Sequence, residues 1–143
     1  MPYEFLEDMA TADIAFRAWG ADLEATFIAA ADAVMNVMVE ELAAIQPREQ
    51  RQLTAEHTEL DLLLFDFLQT LVYYKDAEQL MLRVLRVQIK ERSGHYSLTA
   101  MARGEQLDPC RHHPRVDVKA VTLHQFALQQ KAHGWEATVI LDI

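Results

Sequence analysis

The sequence predicts an α+β fold: one domain over residues 1–143, mainly an antiparallel sheet whose long C-terminal hairpin packs against two helices. Three observations carry this. Residues 116–143 alternate in polarity with the period of two that strands require, broken once at His133-Gly134. Two earlier stretches, at 23–39 and 58–72, repeat apolar residues at helical spacing. No internal repeat, low-complexity tract or flexible linker divides the chain.

Taken in order, residues 3–7 and 14–19 form two short strands around an irregular link at 8–13, and Gly20 ends the second. Asp22 sits where an N-cap belongs. Leu23, Phe27, Ala30, Ala31, Val34, Met35 and Met38 then mark an amphipathic helix running to about Val39. Pro47 breaks the chain before a polar alternating run at 48–57, the pattern of an edge strand. Thr58 begins the second helix, with Glu59 and Asp61 placed to favour its positive dipole end. Apolar residues from Leu60 to Val72 cover nearly every side of this helix, which places it at the centre of the core. Asp66, near Gln69 and Thr70, lies on its one polar stripe and reads as solvated.

From Met81 the chain alternates again, turns at Ser93-Gly94 and returns through 96–102 as a hairpin. Residues 104–114 carry Pro109 and Pro114 without an apolar period and read as a loop. The final strand pair starts at Val116. With His133 and Gly134 as turn residues, Ala132 pairs with Trp135, Gln125 faces Asp142, and His124 faces Ile143. Lys119 shares a face with Asp142 in that register but lies six residues away, about 20 Å along the strand.

Composition narrows the function. Hydrophobic residues at 51% and charged residues at 24% are ordinary for a folded domain. The net charge of -9 repels phosphate backbones, so strong direct binding to nucleic acid is not expected. Such a surface suits cations, or the basic surface of a protein that itself holds nucleic acid. Cys110 is the only cysteine, which excludes an internal disulfide. The N-terminal residues lack a signal-peptide pattern, and the most apolar stretch, at 60–74, is interrupted by Asp61, Asp66 and Gln69 and is too short for a bilayer. A soluble, cytoplasmic protein with no membrane partner is expected; its oligomeric state is left open, a homo-oligomer included.

Four groups of residues could carry chemistry. Asp13, Asp142 and the oxygens of Ile143 are hard ligands suited to one weakly held divalent cation, although aspartates beside a turn and a chain end are by themselves ordinary solvated carboxylates. Lys119 by itself is a surface lysine whose stem covers apolar neighbours. Cys110, His112 and His113 offer zinc ligands without the four that a structural site requires, and read as chance residues on a mobile loop. His124 shares a face with Thr122 and Phe126, the setting of a half-buried, hydrogen-bonded histidine.

An ordered set of motifs resembles the archease family over essentially the whole chain: Tyr3-Glu4, Thr11-Ala12-Asp13-Ile14, Ala18-Trp19-Gly20, Gly104-Glu105, Asp108, Arg111-His112, the run from Val118 to His124, Gly134-Trp135 and the final Leu141-Asp142-Ile143. The resemblance implies the archease fold and a non-catalytic activator of the tRNA-splicing RNA ligase. In that role it would promote guanylylation of the ligase histidine and multiple turnover in tRNA splicing and RNA repair. It also implies metal binding at Asp13, Asp142 and Ile143, with Ca²⁺ as the expected ion and Mg²⁺ or Mn²⁺ as alternatives, and a part for Lys119 in activation. One departure is visible. Where the family opens with Asp-His-Thr-Ala-Asp, this chain has Asp8-Met9-Ala10-Thr11-Ala12-Asp13, with no histidine. Two other readings compete: a chaperone-like interaction module, and a small metal-dependent hydrolase, which would need a water-activating base and a substrate pocket.

Overall fold

The computed structural model describes residues 2–6 and 13–143. Its elements run β1 (Tyr3–Leu6), β2 (Asp13–Gly20), α1 (Leu23–Met38), β3 (Glu49–His57), α2 (Leu60–Glu78), β4 (Leu80–Arg92), β5 (His95–Gln106), α3 (Pro109–His112), β6 (Ala120–Lys131) and β7 (Gly134–Asp142), with a 3-10 turn at Leu42–Ala44. Glu7 and the link at 8–12 lie outside the described residues. The expected α+β class is the observed one. Antiparallel strands form a four-stranded sheet in the order β1-β2-β7-β6 and a three-stranded sheet in the order β3-β5-β4, which leaves β3 at an edge as its polar alternation indicated.

Asp22 caps α1 as expected, its carboxylate accepting the Ala25 N–H at 2.7 Å. α1 packs on β2 and β4, while α2 packs on β3, β4 and β6, so each helix touches both sheets. The helices meet through Phe27 and Phe67, whose rings stack at 5.7 Å. Leu63, Leu64, Phe67, Leu68, Leu71 and Val72 of α2 are buried in one cluster that draws on both sheets. Each such side chain contributes about 1.5–3 kcal/mol when removed from water, which makes α2 the hydrophobic centre of the molecule.

The C-terminal hairpin departs from its expected register in two ways. Lys131, not Ala132, begins the pairing, opposite Gly134, and the turn falls on residues 132–133. Gly134 is needed for a close approach: a Cβ there would lie 2.0 Å from the Gly20 carbonyl oxygen. Further along, the ladder jumps from Ala127 opposite Thr138 to Thr122 opposite Ile140. The intervening residues of β6 bulge outward around Gln125, whose φ is 51°. Bulges favour sheet edges, and this one delivers Phe126 edge-on to Phe65 of α2 at 5.8 Å. Asp142 therefore faces Ala120 rather than Gln125. His124 is exposed on the bulge, neither half-buried nor opposite Ile143. β6 starts at Ala120, and Val116 is instead hydrogen-bonded to the end of α1 through the Val37 carbonyl. A smaller bulge at Leu85 breaks the single alternation expected for β4 and leaves that leucine exposed.

Residues 104–114 are not an irregular loop throughout. β5 continues to Gln106, Asp108 caps α3 through the Cys110 N–H, and His112 is fully buried. The His112 ring accepts the Asp108 N–H at Nδ1, which leaves its proton on Nε2, 2.8 Å from Glu105 Oε2. The buried Glu105 carboxylate also accepts both terminal nitrogens of Arg111 at 2.6 and 2.7 Å, the Gln46 N–H at 2.7 Å and Arg48 Nε at 3.1 Å. The Arg111 guanidinium foremost, with the Gln46 N–H and His112, outweighs burial and holds this carboxyl well below the usual carboxylate range. A depressed folded pKa contributes stability that is complete above the unfolded value and is lost as pH falls toward the folded one. Glu105→Gln should cost about 2 kcal/mol near neutrality. Urea denaturation from about pH 7 to pH 3 should show the gap to wild type narrowing below about pH 5.

Candidate functional site

The register of β2 on β7 sets Asp13 directly opposite Asp142. Directly opposed residues of an antiparallel pair put their side chains on one face, with Cβ atoms about 4.5–5.5 Å apart. Both aspartates are half-buried. The row continues onto β6 at Ala120, whose methyl group adds little bulk beside Asp142. Two like charges so placed destabilise the ladder unless a cation joins them. The half-buried Ile143 follows at the end of β7.

The donor set consists of oxygens, which fits a hard divalent cation and not a thiolate- or imidazole-seeking metal. Among the described residues, no group of three His, Cys, Asp or Glu side chains forms such a site. An ion between the Asp13 and Asp142 carboxylates would have few protein ligands and would keep several waters. Asp8, which precedes Asp13 in the departing segment, lies outside the described residues.

Lys119 is not remote from Asp142. Its N–H donates to the Asp142 carbonyl at 2.8 Å, so the expected separation of six strand residues is overturned by the shifted turn and the bulge. Lys119 lies just before β6 begins, and its side chain is exposed. Asp13 and Asp142 thus meet at one corner of the four-stranded sheet, which the Lys119 backbone also reaches.

Sequence reasoning missed what secures this corner. Lys75 on α2 is buried, and its ammonium donates to Asp76, to Asp117 Oδ1 at 2.8 Å and to the Val118 carbonyl at 2.6 Å. Burial pulls its pKa down, but the hydrogen bonds to Asp117 and Asp76 outweigh that and raise it. One turn and a half earlier, Gln69 Oε1 accepts the Val121 N–H at 2.6 Å. The signal was available: Leu64, Leu68, Leu71 and Lys75 follow helical spacing, which puts a cation on the buried stripe.

The remaining candidates do not join this corner. Cys110 is a free, exposed thiol, His113 is exposed, and the His112 ring nitrogens are committed to Asp108 and Glu105. Asp66 is half-buried, and its carbonyl accepts the Thr70 hydroxyl at 2.8 Å.

The model of the Archease protein family (MTH1598/TM1083) matches residues 3–143. The archease of Pyrococcus abyssi is 37% identical over 134 residues, covering 93% of this chain and 94% of the relative. That of Methanosarcina acetivorans is 37% identical over 142 residues, covering 99% and 95%. The solution structure of protein 1598 of Methanobacterium thermoautotrophicum superposes with a TM-score of 0.86 at 32% identity, over 99% of each chain. The crystal structure of an archease, possible chaperone, from Thermotoga maritima shares the fold, with a TM-score of 0.59 at 18% identity over 94% of this chain and 93% of that one. With a family model spanning nearly its full length and relatives more than one-third identical, this chain belongs to the archease family.

Proposed function

We propose that this chain activates the tRNA-splicing RNA ligase without catalysing a reaction itself, by presenting the acidic corner at Asp13 and Asp142 to the ligase's nucleotide site. The observation that carries the reading is the opposed register of those two aspartates. Asp13, Asp142 and the oxygens of Ile143 would hold one divalent ion, Ca²⁺ with Mg²⁺ and Mn²⁺ as alternatives. When bound, the ion supplies a positive charge that can accept phosphate oxygens of a nucleotide.

The chain's own residues do the rest. The paired carboxylates set where a cation can sit, and the exposed ammonium of Lys119, tied through its backbone to Asp142, is available to a phosphate or carboxylate across the interface. A net charge of -9 favours docking on a basic protein surface and disfavours competition for its RNA. A chaperone-like role is the second reading, favoured by the exposed Tyr73, Leu85 and Leu123 and in keeping with the Thermotoga archease, a possible chaperone.

Labelling the ligase with radioactive GTP under multiple-turnover conditions separates the two. The wild-type chain should stimulate guanylylation, and Asp13→Asn, Asp142→Asn and Lys119→Ala should each lower the stimulation about tenfold or more at unchanged thermal stability. Stimulation that survives all three substitutions favours the chaperone-like reading, and no stimulation by the wild-type chain refutes the activator role.

A further inference from the structure

We propose that Lys75 and Gln69 of α2 are positioning residues that clamp residues 117–121 and thereby hold Lys119 against Asp142. The proposal rests on the activator reading for its functional consequence, but the clamp itself is a property of the isolated chain.

Residues 115–119 precede the ladder of β6, so no strand pairing fixes them. Their start is tied to the end of α1 by the N–H groups of Arg115 and Val116, bonded to the carbonyls of Met38 and Val37. Val118 is buried in the core, while a cavity lined by Met38, Met81, Leu107, Pro114 and Val116, with Lys75 and Asp117 at its wall, lies against the residues just before it. Ala120 and Val121 are paired with β7 and Val118 is buried, and the path between them is further held by polar contacts.

α2 supplies them at two heights. An ammonium has three donors, and Lys75 has an acceptor for each: Asp76, Asp117 and the Val118 carbonyl. Gln69 takes the Val121 N–H. Between these two grips lies Lys119, whose own N–H goes to Asp142. Fixed peptide groups on both sides leave that residue one backbone path. An apolar side chain at 75 would fill the same space but leave the buried Val118 carbonyl unpartnered. A buried cation is costly unless it is paired, and here the pairing partners are the segment to be held.

Two measurements test this. In the isolated, folded chain, amide hydrogen exchange followed by NMR should show the Lys119 and Val121 N–H groups exchanging at least tenfold faster in Lys75→Met than in wild type. Ala100 in the middle of β5 should be unchanged. Gln69→Met, on a half-exposed side chain, carries the same test if Lys75→Met does not fold. Unchanged protection of Lys119 in a folded variant overturns the clamp. In the ligase assay, Lys75→Met should lower stimulation in the wild-type background and add nothing in the Lys119→Ala background, a non-additivity that general destabilisation would not produce. Faster exchange with full stimulation overturns the positioning role. If the wild-type chain gives no stimulation, the activator reading fails, and the exchange result still decides the clamp.

Discussion

Eight paired residues between β2 and β7 constrain everything else in this molecule. Side chains alternate along a strand, so a slip of one residue would turn Asp13 to the face opposite Asp142, and a slip of two would move it roughly 7 Å away. The register is fixed at the far end by a contact between backbones. Gly134 lies so close to Gly20 that no Cβ fits, and a Cβ on Gly20 would lie 2.6 Å from the Thr26 nitrogen at the start of α1. The two glycines let the turn, the strand end and the helix start share one small volume, and the ladder then counts outward to the aspartates.

Much of this was legible in the residues and some was not. Asp22 as a cap, the apolar sides of α2, the polar edge strand β3 and the existence of the C-terminal hairpin follow from periods and cap chemistry, which are local. The hairpin register depends on distant partners. Gly134 takes the positive φ, 145°, expected of a turn glycine, and it also lies against Gly20, more than a hundred residues earlier, which no local pattern reports. The bulge around Gln125 arises where Phe126 reaches Phe65 of α2, and no alternation within β6 reports that contact. Identification of Asp13 and Asp142 came from motif resemblance; their adjacency required the fold.

The two acidic centres show how differently carboxylates are used. Glu105 is buried beneath Arg111, His112, Arg48 and the Gln46 N–H, a closed network that joins β5, α3 and the segment before β3. With its acceptor capacity filled on both oxygens, it has structural work and little room for a ligand. Asp13 and Asp142 are half-buried at a sheet corner, opposed to each other rather than to an arginine. Like charges directly opposite each other in a ladder are unfavourable, so the pair does not hold the fold together as Glu105 does.

Crystals soaked in manganese and read by anomalous scattering decide whether this corner binds a hard divalent cation. One strong peak is expected between the Asp13 and Asp142 carboxylates, at about 2.0–2.6 Å from an oxygen of each, and it should disappear in Asp142→Asn. A well-ordered Asp13–Asp142 pair with no peak at saturating manganese, or peaks only at other carboxylates, would contradict it.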